Sequence, residues 1–260
     1  MTRPGTQVNL ILLLVSSLYG QTAPVGNASA GAAFEVASIK PSDPNASGSQ
    51  SNSDGRLVSM RNWTTHRLLQ RAFDVQSYQV TGGPNWLDSL GFDINAKVSE
   101  SEPVLRGKEG LQRVQMMLQA LLRERFQLES HKETRTLPVY HLTASKSGVK
   151  LTASAAAEGS SMNSKNGHLT AEGVSVAQLA VFLSRTMERP VLDATGIPGR
   201  FDFALSWSPQ EVAAKAPDGN ESAGPSIFTA LQEQLGLKLE SGKGPVEIIV
   251  VDHAEKPTDN

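Results

Sequence analysis

Histidine is the first residue type to consider for chemistry, because its side chain can transfer protons and bind metals near neutral pH. The sequence contains five histidines: His66, His131, His141, His168 and His253. They include no His-Glu-x-x-His pair of the kind that binds zinc from one helix. His131 and His141 fall on two neighbouring predicted strands and would face each other, but a metal site needs three or four ligands. We therefore predict polar contacts and no metal site, with His253 closing the last strand beside Asp252.

Serine, acidic residues and glycine give no stronger sign of catalysis. The Gly-x-Ser-x-Gly spacing of a nucleophile elbow is absent, and Asp88 and Asp93 flank a turn, where solvent-facing acids are common. Gly82-Gly83-Pro84 and Gly196-Ile-Pro-Gly199 lack the lysine of a phosphate-binding loop and the dinucleotide fingerprint. We predict that these glycines allow positive φ in tight turns. The sequence therefore predicts no catalytic residue and no cofactor.

Three residues are candidates for contact with a partner. Trp86 follows the Gly-Gly-Pro turn, where an aromatic ring either covers the core or is an exposed anchor. Arg125 ends a predicted helix, where its charge favours the helix C-terminus; an ion pair with Glu129 or Glu133 is the alternative. His131 lies in the strand that follows and completes the predicted partner-binding set.

The helices that must position these residues have clear end signals. Thr64 is the predicted N-cap of one helix, and Ser175 is the predicted N-cap of another, with Gln178 as the third helical residue. Gly236 is predicted to cap the last helix at its C-terminus. The strongest helical periodicity is that of Leu111, Val114, Met117, Leu118, Leu121 and Leu122.

The second half of the sequence repeats the first, which predicts duplicated architecture. The matched pairs are Gly55-Arg-Leu57 with Gly167-His-Leu169, Thr81-Gly82 with Thr195-Gly196, Phe92-Asp-Ile94 with Phe201-Asp-Phe203, and Phe126-Gln-Leu-Glu-Ser130 with Leu237-Lys-Leu-Glu-Ser241. The predicted fold class is α+β, with two tandem βαββαββ-type repeats that each pack two helices on small mixed sheets. The predicted divisions are a signal peptide and leader over 1–30, a first repeat over 31–147, a linker over 148–166, and a second repeat over 167–260.

Several segments have more specific expectations. Residues 41–54 are predicted to be a loop. Two strand pairs are predicted, Phe126–Ser130 with Leu137–Ala144, and Leu237–Glu240 with Val246–Val251.

Composition and the N-terminus place the protein outside several functional classes. A net charge of −2 over 260 residues gives no footprint for nucleic-acid binding. The absence of cysteine excludes disulfides, thiolate chemistry and a lipoprotein anchor. Arg3 followed by the apolar run Val8–Val15 and small residues is the pattern of a secretory signal peptide, with an uncleaved anchor as the alternative. We expect an exported protein, periplasmic or extracellular, with no membrane span after leader removal.

Further motifs lie in order along most of the mature chain. They are Phe34-Glu-Val-Ala-Ser-Ile-Lys-Pro41, Gly82-Gly-Pro-Asn-Trp86, Glu124-Arg-Phe-Gln-Leu128, Leu137-Pro-Val-Tyr140, Asp193-Ala-Thr-Gly196, Glu233-Gln-Leu-Gly-Leu-Lys-Leu239 and Val251-Asp-His253. Together they resemble a bacterial family of unknown function that is expanded in soil bacteria. Some of its members are exported proteins, and some are domains attached to membrane metallopeptidases of the beta-lactam-sensor type. The element order of each half also resembles the short signalling domain of secretins and TonB-dependent receptors.

These resemblances imply a location in the cell envelope and, for the signalling domain, a docking role without catalysis. We therefore predict a non-catalytic module that binds an envelope protein or peptide through exposed sheet edges. The first alternative is an exported hydrolase, which would need a cleft joining His131, His141 or His253 to an acid and a nucleophile. The second alternative is a small-molecule sensor with a pocket between the repeats.

Overall fold

The fold is mixed α+β, which confirms this part of the predicted fold class, whereas the two tandem repeats stay a prediction. The computed structural model describes residues 32–155, 159–208 and 224–258, so the predicted leader over 1–30 lies outside the described residues. The helices are α1 (Thr65–Phe73), α2 (Trp86–Ser89), α3 (Gly107–Arg125), α4 (Val176–Thr186) and α5 (Ile227–Ala230). Helix α5 continues as a π-helical turn over Leu231–Leu235, and a 3-10 turn over Ser77–Gln79 follows α1.

The strands outnumber the helices in the described residues. They are β1 (Val36–Pro41), β2 (Gln50–Ser53), β3 (Leu57–Thr64), β4 (Val80–Gly82), β5 (Gly91–Lys97), β6 (Glu129–Ala144), β7 (Thr152–Ala153), β8 (Ser161–Lys165), β9 (His168–Val174), β10 (Val191–Asp193), β11 (Phe201–Ser206) and β12 (Leu237–His253). They form three four-stranded sheets.

The helix ends form where the local sequence predicts them. Thr64 caps α1 by accepting a hydrogen bond from the backbone N–H of Arg67. Ser175 and Gln178 form a complete capping box at the start of α4. Gly236 ends the last helical segment in the left-handed conformation, with φ of 65°.

The two predicted strand pairs are wrong, because each is one continuous strand. Strands β6 and β12 pair with each other in antiparallel register from Leu237–Ala144 to His253–Glu129. The polar middle of β6 resembles a turn when it is read alone, but its partner is more than a hundred residues away in the sequence. We call the β6–β12 pair the central ribbon.

Two segments predicted to lack regular structure contain strands. Strand β2 lies in the predicted loop 41–54, and β7 and β8 lie in the predicted linker 148–166. All three are edge strands, and all four residues of β2 are exposed. An exposed edge strand needs no apolar alternation, so the hydrophobic pattern gives no signal for it.

The three sheets share a simple arrangement. One outer sheet has the order β1-β5-β3-β2, and the other has the order β7-β11-β9-β8. The third sheet has the order β10-β6-β12-β4, so the ribbon forms its two central strands. Residues of this sheet contribute to both main parts of the hydrophobic core. Strand β4 pairs in parallel with the end of β12, and β10 pairs in parallel with the end of β6.

The hydrophobic core has two main parts. Each part is built mainly from one half of the chain and also contains residues from the other half. The first core contains α1, α3 and the strands β3 and β5, and it also contains Val251 and Ala254 from the C-terminal end of the chain. The second core contains α4, β9 and α5, and it also contains Leu142 from β6. A third cluster of Val139, Val246 and Ile248 lies on the ribbon between them. The two halves therefore complete each other's interior.

Each outer sheet contains a bulge that is closed by an aspartate. In β3, Asn62 has φ of 53° and its N–H donates to Asp93 Oδ1 at 2.9 Å, while Ser42 Oγ donates to the same oxygen at 2.6 Å. In β9, Gly173 has φ of 61° and its N–H donates to Asp202 Oδ1 at 2.7 Å. The hydrogen bond from Ser42 is the main cause that lowers the pKa of Asp93, and that from Ser154 is the main cause that lowers the pKa of Asp202.

Candidate functional site

The outward edges of the central ribbon form the candidate site. In an antiparallel pair, the N–H and C=O of one residue both point either toward the partner strand or away from it, in alternation. The N–H of Tyr140 donates to Pro190 O outside the ribbon at 2.8 Å, so Tyr140 points outward. By alternation, Ser130, Lys132, Thr134 and Thr136 point outward as well. Strand β10 pairs only with Tyr140–Leu142, and no other strand of the described residues pairs with this part of β6.

The same alternation leaves part of β12 open. Tyr140 lies opposite Ser241, so Leu239, Ser241 and Lys243 also point outward. Strand β4 occupies this side only at Ile249–Val251. We call these stretches the β6 edge, residues 130–136, and the β12 edge, residues 239–243.

A proline lies at the inner limit of each open edge. Pro138 and Pro245 both occupy outward positions of the ribbon, by the same alternation. Proline has no N–H, so it fits a strand only where no ladder hydrogen bond is required. Pro138 and Pro245 therefore break no hydrogen bond of the ribbon. Pro138 limits the β6 edge, and Pro245 limits the β12 edge.

Polar side-chain contacts hold the side chains of the β6 edge in place. His131 Nδ1 lies 2.8 Å from Asp252, and Lys132 Nζ lies 2.7 Å from Glu247. Arg135 donates two hydrogen bonds to the carboxylate of Glu133. This hydrogen bonding is the main cause that lowers the pKa of Glu133. These contacts are exposed, and exposed pairs contribute little to stability. They keep the edge polar, which is how natural sheets limit unselective pairing.

A groove lies beside the β12 edge. It has a volume of about 290 Å³ and is lined by Phe228, Thr229, Gln232, Glu233, Lys238 and Leu239. Phe228 is 39% exposed, so part of its ring is accessible from the groove. We call this cavity the Phe228 groove.

A larger cleft lies at the junction of the two halves. It has a volume of about 390 Å³, with walls from the segment after α1, from the C-terminal end of α4 and from β12. Arg185 and Asp74 form an ion pair of 3.1 Å across it. Burial raises the pKa of Tyr78 in its wall, and a hydrogen bond with Ser184 opposes this effect. Tyr78 therefore remains a neutral hydroxyl group at neutral pH. We call this cavity the seam cleft.

The three predicted partner-binding residues do not form one cluster. Trp86 lies in α2, where it packs on the first core and its ring stacks at 6.4 Å on that of Phe126. Arg125 ends α3, and its Nη1 lies 3.5 Å from Ala37 O. His131 lies on the β6 edge with Asp252. The partner-binding role of these residues stays a prediction.

The predicted turn glycines all have positive φ. The values are 81° for Gly82, 75° for Gly83, 64° for Gly196 and 105° for Gly199. Gly82 is also close to the ribbon, since a Cβ there would lie 2.7 Å from Val251 O. Pro84 follows directly, and its carbonyl accepts from the N–H of Leu87 at the start of α2.

The expectation that His131 and His141 face each other across neighbouring strands is wrong. Both lie on β6, ten positions apart, because the predicted turn between them does not form. His141 Nε2 lies 3.3 Å from Lys243 O, and His253 pairs with Glu255. Neither of the two cavities described above is lined by His131, His141 or His253, and the described residues contain no group of three metal-ligating side chains.

One array with catalytic residue types is a brace between α1 and the segments that follow it. His66 Nδ1 lies 2.5 Å from Asp88, and its Nε2 lies 3.4 Å from Ser77 Oγ. The same Nε2 lies 3.3 Å from the Ser77 carbonyl, which can only accept a hydrogen bond. The Asp88 side chain is 69% exposed, so it lacks the buried setting of a catalytic orienting acid.

Sequence reasoning did not find the Phe228 groove or the seam cleft. Both depend on contacts between segments that are distant in the chain. A signal for the open edges was present in Pro138 and Pro245, which interrupt otherwise strand-like sequence. No helix of the described residues is long and apolar enough to cross a membrane.

The comparisons with known proteins identify a family. The model described as "Protein of unknown function (DUF3738)" matches residues 66–254, a range that includes the central ribbon and the lining of both cavities. Comparisons with curated proteins and with solved structures gave no match. The predicted membership in a family of unknown function is thus confirmed, and the chain belongs to the DUF3738 family.

Proposed function

We propose that the protein is an exported, non-catalytic binding module of the cell envelope. It captures an extended segment of a partner protein or peptide by adding that segment as a strand to an open edge of the central ribbon. The observation that carries this proposal is the row of outward backbone groups at Ser130, Lys132, Thr134 and Thr136, beside which no strand of the described residues lies. Such a row supplies main-chain hydrogen bonds to an incoming strand.

The position of β10 adds support. It already pairs in parallel with the same side of β6, at Tyr140–Leu142. An added strand would continue the sheet in line with β10, and Pro138 would separate the two. The β12 edge has the same relation to β4 and Pro245. The ribbon is therefore a scaffold with two comparable openings.

We also propose that the two halves derive from one duplicated βαββαββ-type unit. The matching orders of the two outer sheets support this, and so do the aspartate-closed bulges at Asn62 and Gly173. Duplication would explain why the openings come as a pair. The resemblance of each half to the signalling domain of secretins and TonB-dependent receptors supports a docking role.

Export is the part of the proposal that rests on the N-terminal leader pattern. Fractionation of cells that express the full chain with a C-terminal tag tests it. We expect the protein outside the cytoplasm with residues of the leader removed. A full-length product in the cytoplasm would overturn this part alone.

Strand addition is tested with peptides and proline variants. Random nine-residue peptides displayed on phage are selected on the full-length mature protein. Binding of the selected peptides is then measured to a variant with both Thr134→Pro and Ser241→Pro. Both changes remove an outward N–H and leave the β6–β12 ladder intact, so the variant should fold. We expect binding to fall about ten-fold or more, since each peptide loses main-chain hydrogen bonds.

The matched control is the variant with Thr134→Val and Ser241→Thr, which keeps both N–H groups. It should bind the selected peptides as the unmodified protein does. Equal binding to the proline variant, with a native circular dichroism spectrum, would show that the ribbon edges are not the site.

A second candidate function is a small-molecule sensor, and the seam cleft favours it. Its wall combines the hydroxyl groups of Tyr78 and Ser184 with the exposed side chain of Val181. It is formed by both halves, so a bound molecule would link them. Screening soluble fragments by NMR tests this: hits should shift the amide signals of Ser184 and Gln79, and Val181→Trp, which fills the cleft, should abolish the shifts. Hits that persist in the variant would argue against the cleft.

A further inference from the structure

We infer that the β12 edge takes an extended peptide with a large apolar side chain at one position and a carboxylate four positions away. This inference rests on the proposed strand addition and specifies its partner at one of the two edges. It depends on the Phe228 groove, on the charges at the two ends of the edge, and on the geometry of the ribbon.

The apolar position follows from Phe228. Its ring meets that of Tyr140 edge-on, with centroids 5.5 Å apart and an angle of 75°. The Arg189 guanidinium lies 4.1 Å from the centre of the Tyr140 ring and holds that ring in turn. Phe228 is thus supported on one side and 39% exposed on the other. A supported, partly exposed aromatic ring beside an open strand edge suits a large apolar side chain, because removing apolar surface from water is favourable.

The acidic position follows from the distribution of charge. Glu233 lines the groove and disfavours a carboxylate beside Phe228. Lys243 lies at the other end of the β12 edge and is exposed. Its ammonium group makes no ion pair with any of the residues that the structure describes, whereas Lys238 is paired with Glu240 at 3.0 Å. Lys243 is therefore the complementary charge for a carboxylate on the partner.

The spacing follows from strand geometry. Leu239, beside the groove, and Lys243 are four residues apart and on the same face of the ribbon. They are separated by about 13 Å at the usual rise of a strand. An added strand has the same rise, so its side chains opposite these two positions are also four residues apart. Ser241 lies between them and supplies an outward N–H and C=O.

The test uses two synthetic peptides of seven residues, built from threonine and valine. One has phenylalanine at its second position and glutamate at its sixth, and the other has the two exchanged, since the edge admits a parallel or an antiparallel strand. Binding to the full-length mature protein is measured by fluorescence anisotropy. We expect one order to bind, and replacement of its phenylalanine by threonine to weaken binding about ten-fold or more, as the loss of 1.4 kcal/mol would.

Variants of the protein locate the contacts. Phe228→Ala should weaken binding of the better peptide by a similar factor, and Phe228→Tyr should restore it. Lys243→Gln should weaken binding and reduce its dependence on salt, because the lost contact is electrostatic. A peptide with glutamine in place of glutamate should bind both the unmodified protein and Lys243→Gln equally.

The outcomes separate this inference from the proposed function. Binding that is lost in Ser241→Pro but unchanged in Phe228→Ala would overturn the inference and leave strand addition standing. Failure of both designed peptides, while phage-selected peptides lose binding in Thr134→Pro, would have the same meaning. Binding unchanged in Ser241→Pro would overturn the inference at this edge, and only phage-selected peptides insensitive to the double proline variant would overturn the proposed function.

Discussion

Thr65, the first residue of α1, illustrates how a single side chain can be at odds with its surroundings. It is fully buried, and its Oγ1 has no hydrogen-bond partner among the described residues. The residue at the same point of α4 is Val176, which is also buried. A buried hydroxyl without a partner destabilises a fold relative to an apolar group of the same shape.

We predict that Thr65→Val raises the free energy of unfolding by about 1 kcal/mol, because it removes the unpaired hydroxyl and keeps the volume. Urea denaturation followed by circular dichroism measures the change. The matched control is Val176→Thr, which should lower the free energy of unfolding by a similar amount. No gain from Thr65→Val would show that the hydroxyl has a partner in solution.

Asp93 gives a prediction about pH. The hydrogen bonds from Ser42 and from the Asn62 N–H lower the pKa of Asp93 in the folded state. A carboxyl group with a lowered folded pKa contributes stability above the unfolded pKa of about 3.9, and loses this contribution as the pH falls through the folded pKa. We therefore expect Asp93→Asn to lower the free energy of unfolding at pH 7, with a difference from the unmodified protein that shrinks below about pH 4.

Asp202→Asn serves as the second arm of that experiment, because Asp202 closes the corresponding bulge at Gly173. Its pKa is lowered in the same direction, so the same pH profile is expected. Denaturation measured at several pH values gives both differences. A difference that does not change with pH would mean that the aspartates act through shape rather than charge.

At the scale of elements, the turn glycines separate backbone conformation from close packing. Gly82 and Gly196 both have positive φ, but only Gly82 faces another backbone, with Val251 O 2.7 Å from the position of a Cβ. A Cβ at Gly196 meets nothing within 4 Å among the described residues. We predict that Gly82→Ala destabilises the protein more than Gly196→Ala does, by about 2 kcal/mol.

Thermal and urea denaturation of the two variants check this prediction. Gly196→Ala is the control for Gly82→Ala, because it has the cost of positive φ without the close contact. Equal effects would mean that β4 can move away from β12 without loss. The result bears on the ribbon, because β4 closes the outward side of β12 beyond Pro245.

Elements were predictable from the sequence where their signals are local. The caps at Thr64, Ser175 and Gly236 lie within one helical turn of the residues they serve, and the structure has all three. The middle of β6 was not predictable in this way. Its residues from Lys132 to Thr136 are polar, and they form a strand only because β12 lies beside them. Tertiary pairing overrides the local pattern there.

The whole molecule shows why the candidate site was harder to predict than the fold class. Composition and alternating patterns were enough for α+β. The Phe228 groove and the open edges exist because the ribbon joins segments that are far apart in the sequence. The backbone groups that point away from the ribbon can be identified only when the register between β6 and β12 is known. Sequence motifs concern side chains, whereas the candidate site consists largely of main chain.

Each half of the chain contributes residues to the core of the other half, which leads to a prediction about the isolated halves. The first core needs Val251 and Ala254 from the end of the chain, and the second core needs Leu142 from β6. A fragment of residues 32–147 would expose its core where β12 is missing, and small domains have little stability to spare. We therefore expect this fragment alone to lack fixed tertiary structure, with poorly dispersed amide signals in NMR spectra.

The complementary fragment, residues 148–258, should behave in the same way, and mixing the two should restore dispersed signals through re-formation of the ribbon. The intact chain should unfold in one transition that is the same by circular dichroism and by tryptophan fluorescence, since its tryptophans lie in both halves. Val251→Ala provides the link between these results. It alters the second half of the sequence but empties a position in the first core, so fluorescence from Trp63 and Trp86 should report the loss. A fragment that folds alone would show instead that each half carries its own complete core, and the ribbon would then be a contact between two independent domains.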